Sequence, residues 1–125
     1  RLRPGAADAH YNYGLLLARQ GRLEEAVEHY RAALETESGN HRIHNNLGSA
    51  LARLGRVDEA IPHFEAALRT RPTDGVAHSN LGMAFVLKGR YAEAWREFKS
   101  ARRLGYEPPA DMLRTLAEKM PDPGP

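Results

Sequence analysis

His44-Asn45-Asn46-Leu47-Gly48 is the middle one of three near-copies of a short string. The other two are His10-Tyr11-Asn12-Tyr13-Gly14 and His78-Ser79-Asn80-Leu81-Gly82, each 34 residues away. A fixed period of that length marks a repeat array, in which one supersecondary unit is stacked several times. It also brings Asn12, Asn46 and Asn80 to the same place in successive units.

Numbered from 1 to 34, the units span residues 7–40, 41–74 and 75–108. Small residues recur at positions 8, 15, 20 and 27, as in Gly48, Gly55, Ala60 and Ala67. Large apolar residues stand at position 11 (Leu17, Leu51, Phe85), 21 (Val27, Ile61, Trp95) and 24 (Tyr30, Phe64, Phe98). Apolar positions 4, 7, 8 and 11 lie on one face of a helix, and 20, 21, 24 and 27 do the same in the second half. Gly at position 15 falls where a helix C-terminus takes a left-handed residue. Acidic residues near positions 18 and 19 suit the positive end of the next helix dipole. The reading is all-α, with helices at 7–20, 23–37, 41–54, 57–71, 75–88 and 91–104.

Gly105 ends the last of these, and Pro109 is placed to open a seventh helix over 110–119. Met112, Leu113, Leu116 and Met120 can cover the third repeat while Arg114, Glu118 and Lys119 face water. A terminal cap of that kind keeps an array soluble. Residues 121–125 read as a tail. At the other end, Pro4 falls at position 32 of a preceding unit, so residues 1–6 read as the end of a truncated repeat.

The bulk properties exclude several classes. The chain has 125 residues, 42% apolar and 27% charged, enough for one core with a soluble surface. Its net charge of +2 comes from 15 Arg and 3 Lys mixed with acids, with no basic block for nucleic acid. No cysteine is present, which removes disulfides and thiolate metal sites. No apolar run approaches the ~20 residues of a membrane helix, so direct membrane insertion is not expected. Arg and Ala richness hints at a GC-rich bacterial source, and the compartment stays open.

These residues resemble the tetratricopeptide repeat family, whose pattern asks for Leu-Gly at 7–8, Ala at 20, an aromatic at 24, Ala at 27 and Pro at 32. The second unit carries it in Leu47-Gly48, Ala60, Phe64, Ala67 and Pro72. The departures are Tyr13 for Leu, Ser38 and Tyr106 for Pro, and His at position 4 where Trp is usual. The resemblance implies an α-solenoid of three helix-turn-helix repeats plus a C-terminal capping helix. It also implies a non-catalytic scaffold that binds a protein or peptide in a concave groove lined by the first helices. Fold alone does not name the partner.

In that setting the groove stripe is positions 2, 5, 6, 9, 12 and 13. These are Asp8, Tyr11, Asn12, Leu15, Ala18 and Arg19 in the first unit. The second has Arg42, Asn45, Asn46, Ser49, Ala52 and Arg53, and the third has Val76, Ser79, Asn80, Met83, Val86 and Leu87. Packed helices lie ~8–10 Å apart and an extended peptide advances ~3.3 Å per residue. Each Asn could then meet about every third peptide unit, and its amide offers both donor and acceptor. Asn at this place is similar to the asparagine ladder of O-GlcNAc transferase repeat arms, which grip substrate backbone. Arg19 and Arg53 would favour acidic ligand side chains. Leu15, Met83, Val86 and Leu87 would offer an apolar anchor.

Other patterns fit less well. Co-chaperone repeats that grip a C-terminal carboxylate look for basic residues where this chain has Asp8, Val76 and Asn80. His10, His44 and His78 stand a repeat apart, too far for ligands ~2 Å from one zinc, so they read as packing residues. His29 and His63, at position 23, fall on the convex or inter-helix surface. There is no phosphate loop, HExxH or nucleophile motif, so neither a cofactor nor catalysis is expected. Groove aromatics are too sparse for stacking nucleobases. Two rivals stay open: the substrate-guiding arm of a larger enzyme such as a glycosyltransferase, and self-association through the first repeat.

Overall fold

The computed structural model describes residues 5–125, so the expectation for Pro4 lies outside the described residues. Seven helices follow in order: α1 Ala6–Arg19, α2 Leu23–Leu34, α3 His41–Arg53, α4 Val57–Thr70, α5 Gly75–Leu87, α6 Tyr91–Arg103 and α7 Ala110–Lys119. Neighbours pair as α1 with α2, α3 with α4 and α5 with α6. Between pairs, α2 packs on α3 and α4 on α5, and α3 touches both α1 and α5. The first helices therefore form one row, which is the all-α solenoid.

Each pair turns on a glycine. Gly55 has φ +81°, a conformation that costs a side chain dearly. It allows Arg56 N–H to reach Leu51 O at 2.8 Å and Gly55 N–H to reach Ala52 O at 2.9 Å. This double bond pattern satisfies carbonyls that the helix end leaves open. Gly21, Gly89 and Gly105 repeat it. The Arg that follows Gly55 then grips Glu59 through both carboxylate oxygens, at 2.9 and 2.8 Å. Arg22–Glu25 and Arg90–Glu93 do likewise.

A second glycine sets how close the paired helices come. A Cβ on Gly48 would lie 2.5 Å from Phe64 Cε1, and Gly82 and Phe98 meet in the same way. The aromatic ring at position 24 thus lies flush against the backbone of the first helix. Tyr30, Phe64 and Phe98 are all fully buried, with Leu17, Leu47, Leu51 and Ile43 around them.

Successive repeats are joined by a polar cluster that the sequence reading missed. Asp74 caps α5 by accepting from Ala77 N–H at 3.0 Å. Its other oxygen meets His41 Nδ1 at 2.7 Å and accepts from Asn45 Nδ2 at 2.6 Å. Burial pushes the Asp74 carboxyl up, but the bonds from His41, Ala77 and Asn45 outweigh it and hold it below the ordinary value. The sign follows: the carboxylate's contribution is present above the ordinary Asp range and is lost as pH falls through and below it. Asp74→Ala removes a helix cap worth ~1 kcal/mol and strands the buried Asn45 amide for about 1 kcal/mol more. A urea-denaturation loss near 2 kcal/mol is expected; a loss under about 0.5 would mean the cluster is idle.

Three details depart from expectation. First, α2 stops at Leu34 instead of running to 37. Thr36 closes back on Ala33 O with both its N–H and its hydroxyl, each at 3.4 Å, the local competition that ends helices at Thr. Second, Pro109 stands just before the first residue of α7, at its N-cap position. Third, Tyr13, placed on the core face, is largely exposed and sets its ring edge against His29 at 4.6 Å.

At the far end Leu116 is fully buried, and Met112, Leu113 and Met120 pack partly on the core. Residues 121–125 lie back on α6. Trp95 Nε1–H donates to Met120 O at 2.9 Å, and Lys99 pairs with Asp122 at 2.5 Å and donates to Gly124 O. Among the described residues no helix is long and apolar enough to cross a membrane.

Candidate functional site

The faces of α1, α3 and α5 that the helix pairs leave uncovered carry the residues chosen from spacing. At position 6, Asn12 is exposed, while Asn46 and Asn80 are half-buried. At position 9, Leu15, Ser49 and Met83 are half-buried. At position 13, Arg19 and Arg53 are exposed and Leu87 is 59% exposed. Of the outer positions, Asp8 and Arg42 are exposed, and Val76, Ala18 and Ala52 are half-buried.

In α3 and α5, position 5 does not belong to this surface. Asn45 is 7% exposed and Ser79 4% exposed. Asn45 spends its amide on Asp74. Position 5 faces the neighbouring repeat, so Asn45 and Ser79 are corrected from groove residues to seam residues. Val86, expected as part of an apolar anchor, is likewise buried at 8%. Tyr11 shares position 5 but stays half-buried, because its hydroxyl reaches outward to the next helix.

That reach links two predicted residues. Asn46 Nδ2 donates to Tyr11 Oη at 3.0 Å and to Arg42 O at 2.9 Å. A carboxamide nitrogen has two hydrogens, so the Asn46 donor is fully used. What it presents outward is its oxygen, an acceptor. Tyr11, accepting from Asn46, keeps its own O–H to donate. Burial first pushes the Tyr11 phenol up, against the smaller opposing pull of Arg42 and Asn46, so it remains a donor at neutral pH.

One cleft opens between α3 and α5, with a volume of about 340 Å³. Ser49, Ala52 and Arg53 line it from α3, Asn80, Met83 and Leu87 from α5, and Met112 from α7. It thus gathers Ser49, Arg53, Asn80, Met83 and Leu87, five of the residues singled out from sequence. Met112 is the addition; the sequence points to it only as a capping residue, and its signal is its place on the first turn of α7. Leu15, Tyr11, Asn12 and Arg19 lie outside this cleft, toward the first repeat.

Charge is unevenly placed along the surface. Arg19 and Arg53 both act on buried Tyr30, and Arg42 acts on Tyr11. Burial and Tyr11 nevertheless push Tyr30 up to about 12. None of these three Arg has a carboxylate partner among the described residues. On this face the first two repeats therefore set Arg19, Arg42 and Arg53 against Asp8, a surplus of positive charge, and the third presents Met83 and Leu87.

Known proteins share this design. A family model described as tetratricopeptide repeat matches residues 5–69, and a second of the same description matches residues 45–108. No curated protein matches the chain. Among solved structures, a MamA mutant is 33% identical with a TM-score of 0.73, covering 78% of this chain and 72% of that one. The Sgt2 TPR domain from Aspergillus fumigatus is 22% identical with a TM-score of 0.81, covering 90% and 76%. The first TPR of Spaghetti (RPAP3), bound to HSP90 peptide SRMEEVD, is 19% identical with a TM-score of 0.85, covering 94% and 93%.

Proposed function

Because the chain belongs to the tetratricopeptide repeat family, we propose that it is a non-catalytic protein-binding scaffold that holds an extended peptide segment across α1, α3 and α5. The observation that carries this reading is the α3–α5 cleft, where an apolar cavity adjoins Asn80, Ser49 and Arg53. A peptide is also what the first TPR of Spaghetti holds.

The chemistry divides by position. Asn46 oxygen accepts a ligand backbone N–H, and the Tyr11 hydroxyl beside it donates to a ligand carbonyl. Together they satisfy the N–H and C=O of one extended residue, which face the same side of the chain, without reading its side chain. Asn12 and Asn80 offer the same service one repeat to either side. Each such bond nets about 0.5–1.5 kcal/mol. Selectivity then comes from the cleft, which suits a bulky apolar side chain, and from Arg19, Arg42 and Arg53, which favour nearby carboxylates.

Selection from a random peptide display library tests the reading. Enriched peptides are expected to carry a large apolar residue with acidic residues near it. Leu87→Asp and Met83→Asp place a charge in the cleft and are expected to weaken those peptides at least about tenfold, the effect of ~1.4 kcal/mol. Peptides that bind both variants as tightly as wild type would place the anchor elsewhere.

A second reading rests on Tyr13 and Leu16, which are 44% and 47% exposed on α1. Two copies could bury them against each other. Light scattering across a concentration series distinguishes a dimer from a monomer that binds peptide.

A further inference from the structure

Within each helix pair, position 4 faces position 23. His10 Nδ1 lies 3.0 Å from His29 Nδ1, and His44 Nδ1 lies 3.0 Å from His63 Nδ1. In the third repeat the partner is a carboxylate, with His78 Nδ1 at 2.7 Å from Glu97 Oε1. The two kinds of pair respond to protons in opposite ways.

The second repeat fixes the hydrogen positions. His44 Nε2 lies 2.7 Å from Ser38 O, a carbonyl that can only accept. His44 therefore carries its proton on Nε2 and offers a lone pair at Nδ1. The proton between the rings belongs to His63 Nδ1. Ring centroids 5.2 Å apart, with nitrogens 3.0 Å apart, describe rings meeting end to end. Such a contact has room for one proton. The pair can gain one more if His44 takes it at Nδ1 and a neutral His63 shifts its hydrogen to its outer nitrogen, which keeps the bond with its direction reversed. A second added proton, on His63, would set N–H against N–H and part the rings.

The groups facing His63 are His44 on α3, Arg31 on α2 and Glu59 on its own helix. Burial first, then His44 and Arg31, push His63 down to about 4 against the weaker pull of Glu59. His29 faces His10 and the ring edge of Tyr13 on α1. His78 differs: its Nε2 meets Pro72 O at 3.0 Å while Nδ1 meets Glu97. Both nitrogens face acceptors, so the imidazolium form satisfies both.

We propose that the two histidine pairs are acid-sensitive latches, so that mild acid loosens the first and second helix pairs while the third stays closed. The linkage has a definite sign. For the His44–His63 pair, between the ordinary histidine value of ~6.5 and about 4, the unfolded chain holds two added protons and the folded chain one, and His10 and His29 share the same ring-to-ring contact. Stability must therefore fall as pH falls through that window. In the third repeat the added proton is accepted without parting the pair.

The test copies the third repeat into the other two, as His29→Glu with His63→Glu. Urea denaturation is followed by circular dichroism from pH 7 to pH 4.5 for wild type and variant. One extra proton per pair makes the unfolding constant of wild type rise by up to about tenfold per pH unit per pair. The variant is expected to lose most of that slope. Equal slopes would overturn the proposal. Histidine ring NMR on wild type supplies a check that does not depend on the variant folding. His44 and His63 should take up one proton between them well before the second. Two independent one-proton titrations near the ordinary value would equally overturn it.

Discussion

Phe64→Ala is expected to destabilise the chain by about 3–5 kcal/mol, the usual cost of emptying a buried aromatic site. The ring is fully buried and lies against the backbone at Gly48, closer than any side chain there would allow. Removing it leaves a cavity where two helices touch with no side chain between them to relax into the space. Domains are typically stable by only 5–15 kcal/mol, so the variant should melt far earlier or fail to fold. Gly48→Ala probes the contact from the other side. It gains helix propensity of up to ~1 kcal/mol but forces the ring to move, at about 1–3 kcal/mol. Adding Phe64→Leu to Gly48→Ala should recover part of that loss. Chemical denaturation of the two single variants and the double measures the coupling directly. A double variant whose stability change equals the sum of the two single changes would mean the pair does not set the helix spacing.

The repeat period made the solenoid legible because it exposed every spacing at once. Gly55 at the turn and the buried Phe64 follow from one 34-residue register, and Leu116 under the cap follows from the apolar spacing of the capping helix. What escaped was anything set by the neighbouring repeat. A wheel drawn for α3 alone places Asn45 beside Asn46 on one open face. In the stacked array Asn45 meets Asp74, which lies 29 residues away. Ser79 is lost to the groove for the same reason. The 34-residue period sets equivalent histidines far apart. Their contacts run across the 19-residue step from position 4 to position 23, which the repeat register does not reveal. Among the groove residues, spacing located the position-9 and position-13 side chains that line the cleft. It could not show that the Asn46 donor is already committed to Tyr11 and Arg42.

The second large effect concerns the asparagines themselves. Asn12, Asn46 and Asn80 lie on separate helices, each a repeat from the next. Three backbone bonds at about 0.5–1.5 kcal/mol each amount to roughly 1.5–4.5 kcal/mol. Losing all three should weaken a bound peptide by about tenfold to a thousandfold. Single replacements should each weaken binding about two- to tenfold. Asn46→Ala should cost more than its direct bond, because it also frees the Tyr11 hydroxyl it positions. Asn46→Asp would keep the outward acceptor but lose the donor to Tyr11 and to Arg42 O, and is expected to weaken binding as well. Folding should be little changed by the Asn12 and Asn80 replacements, since Asn12 is exposed and Asn80 only half-buried.

The most direct test is calorimetric titration of a display-selected peptide into wild type and into the Asn12→Ala, Asn46→Ala, Asn80→Ala triple variant, with folding verified by circular dichroism. A folded variant that binds at least tenfold more weakly, whatever the peptide's side chains, is the predicted result. A folded variant that binds the same peptide with wild-type affinity would contradict a backbone-gripping groove.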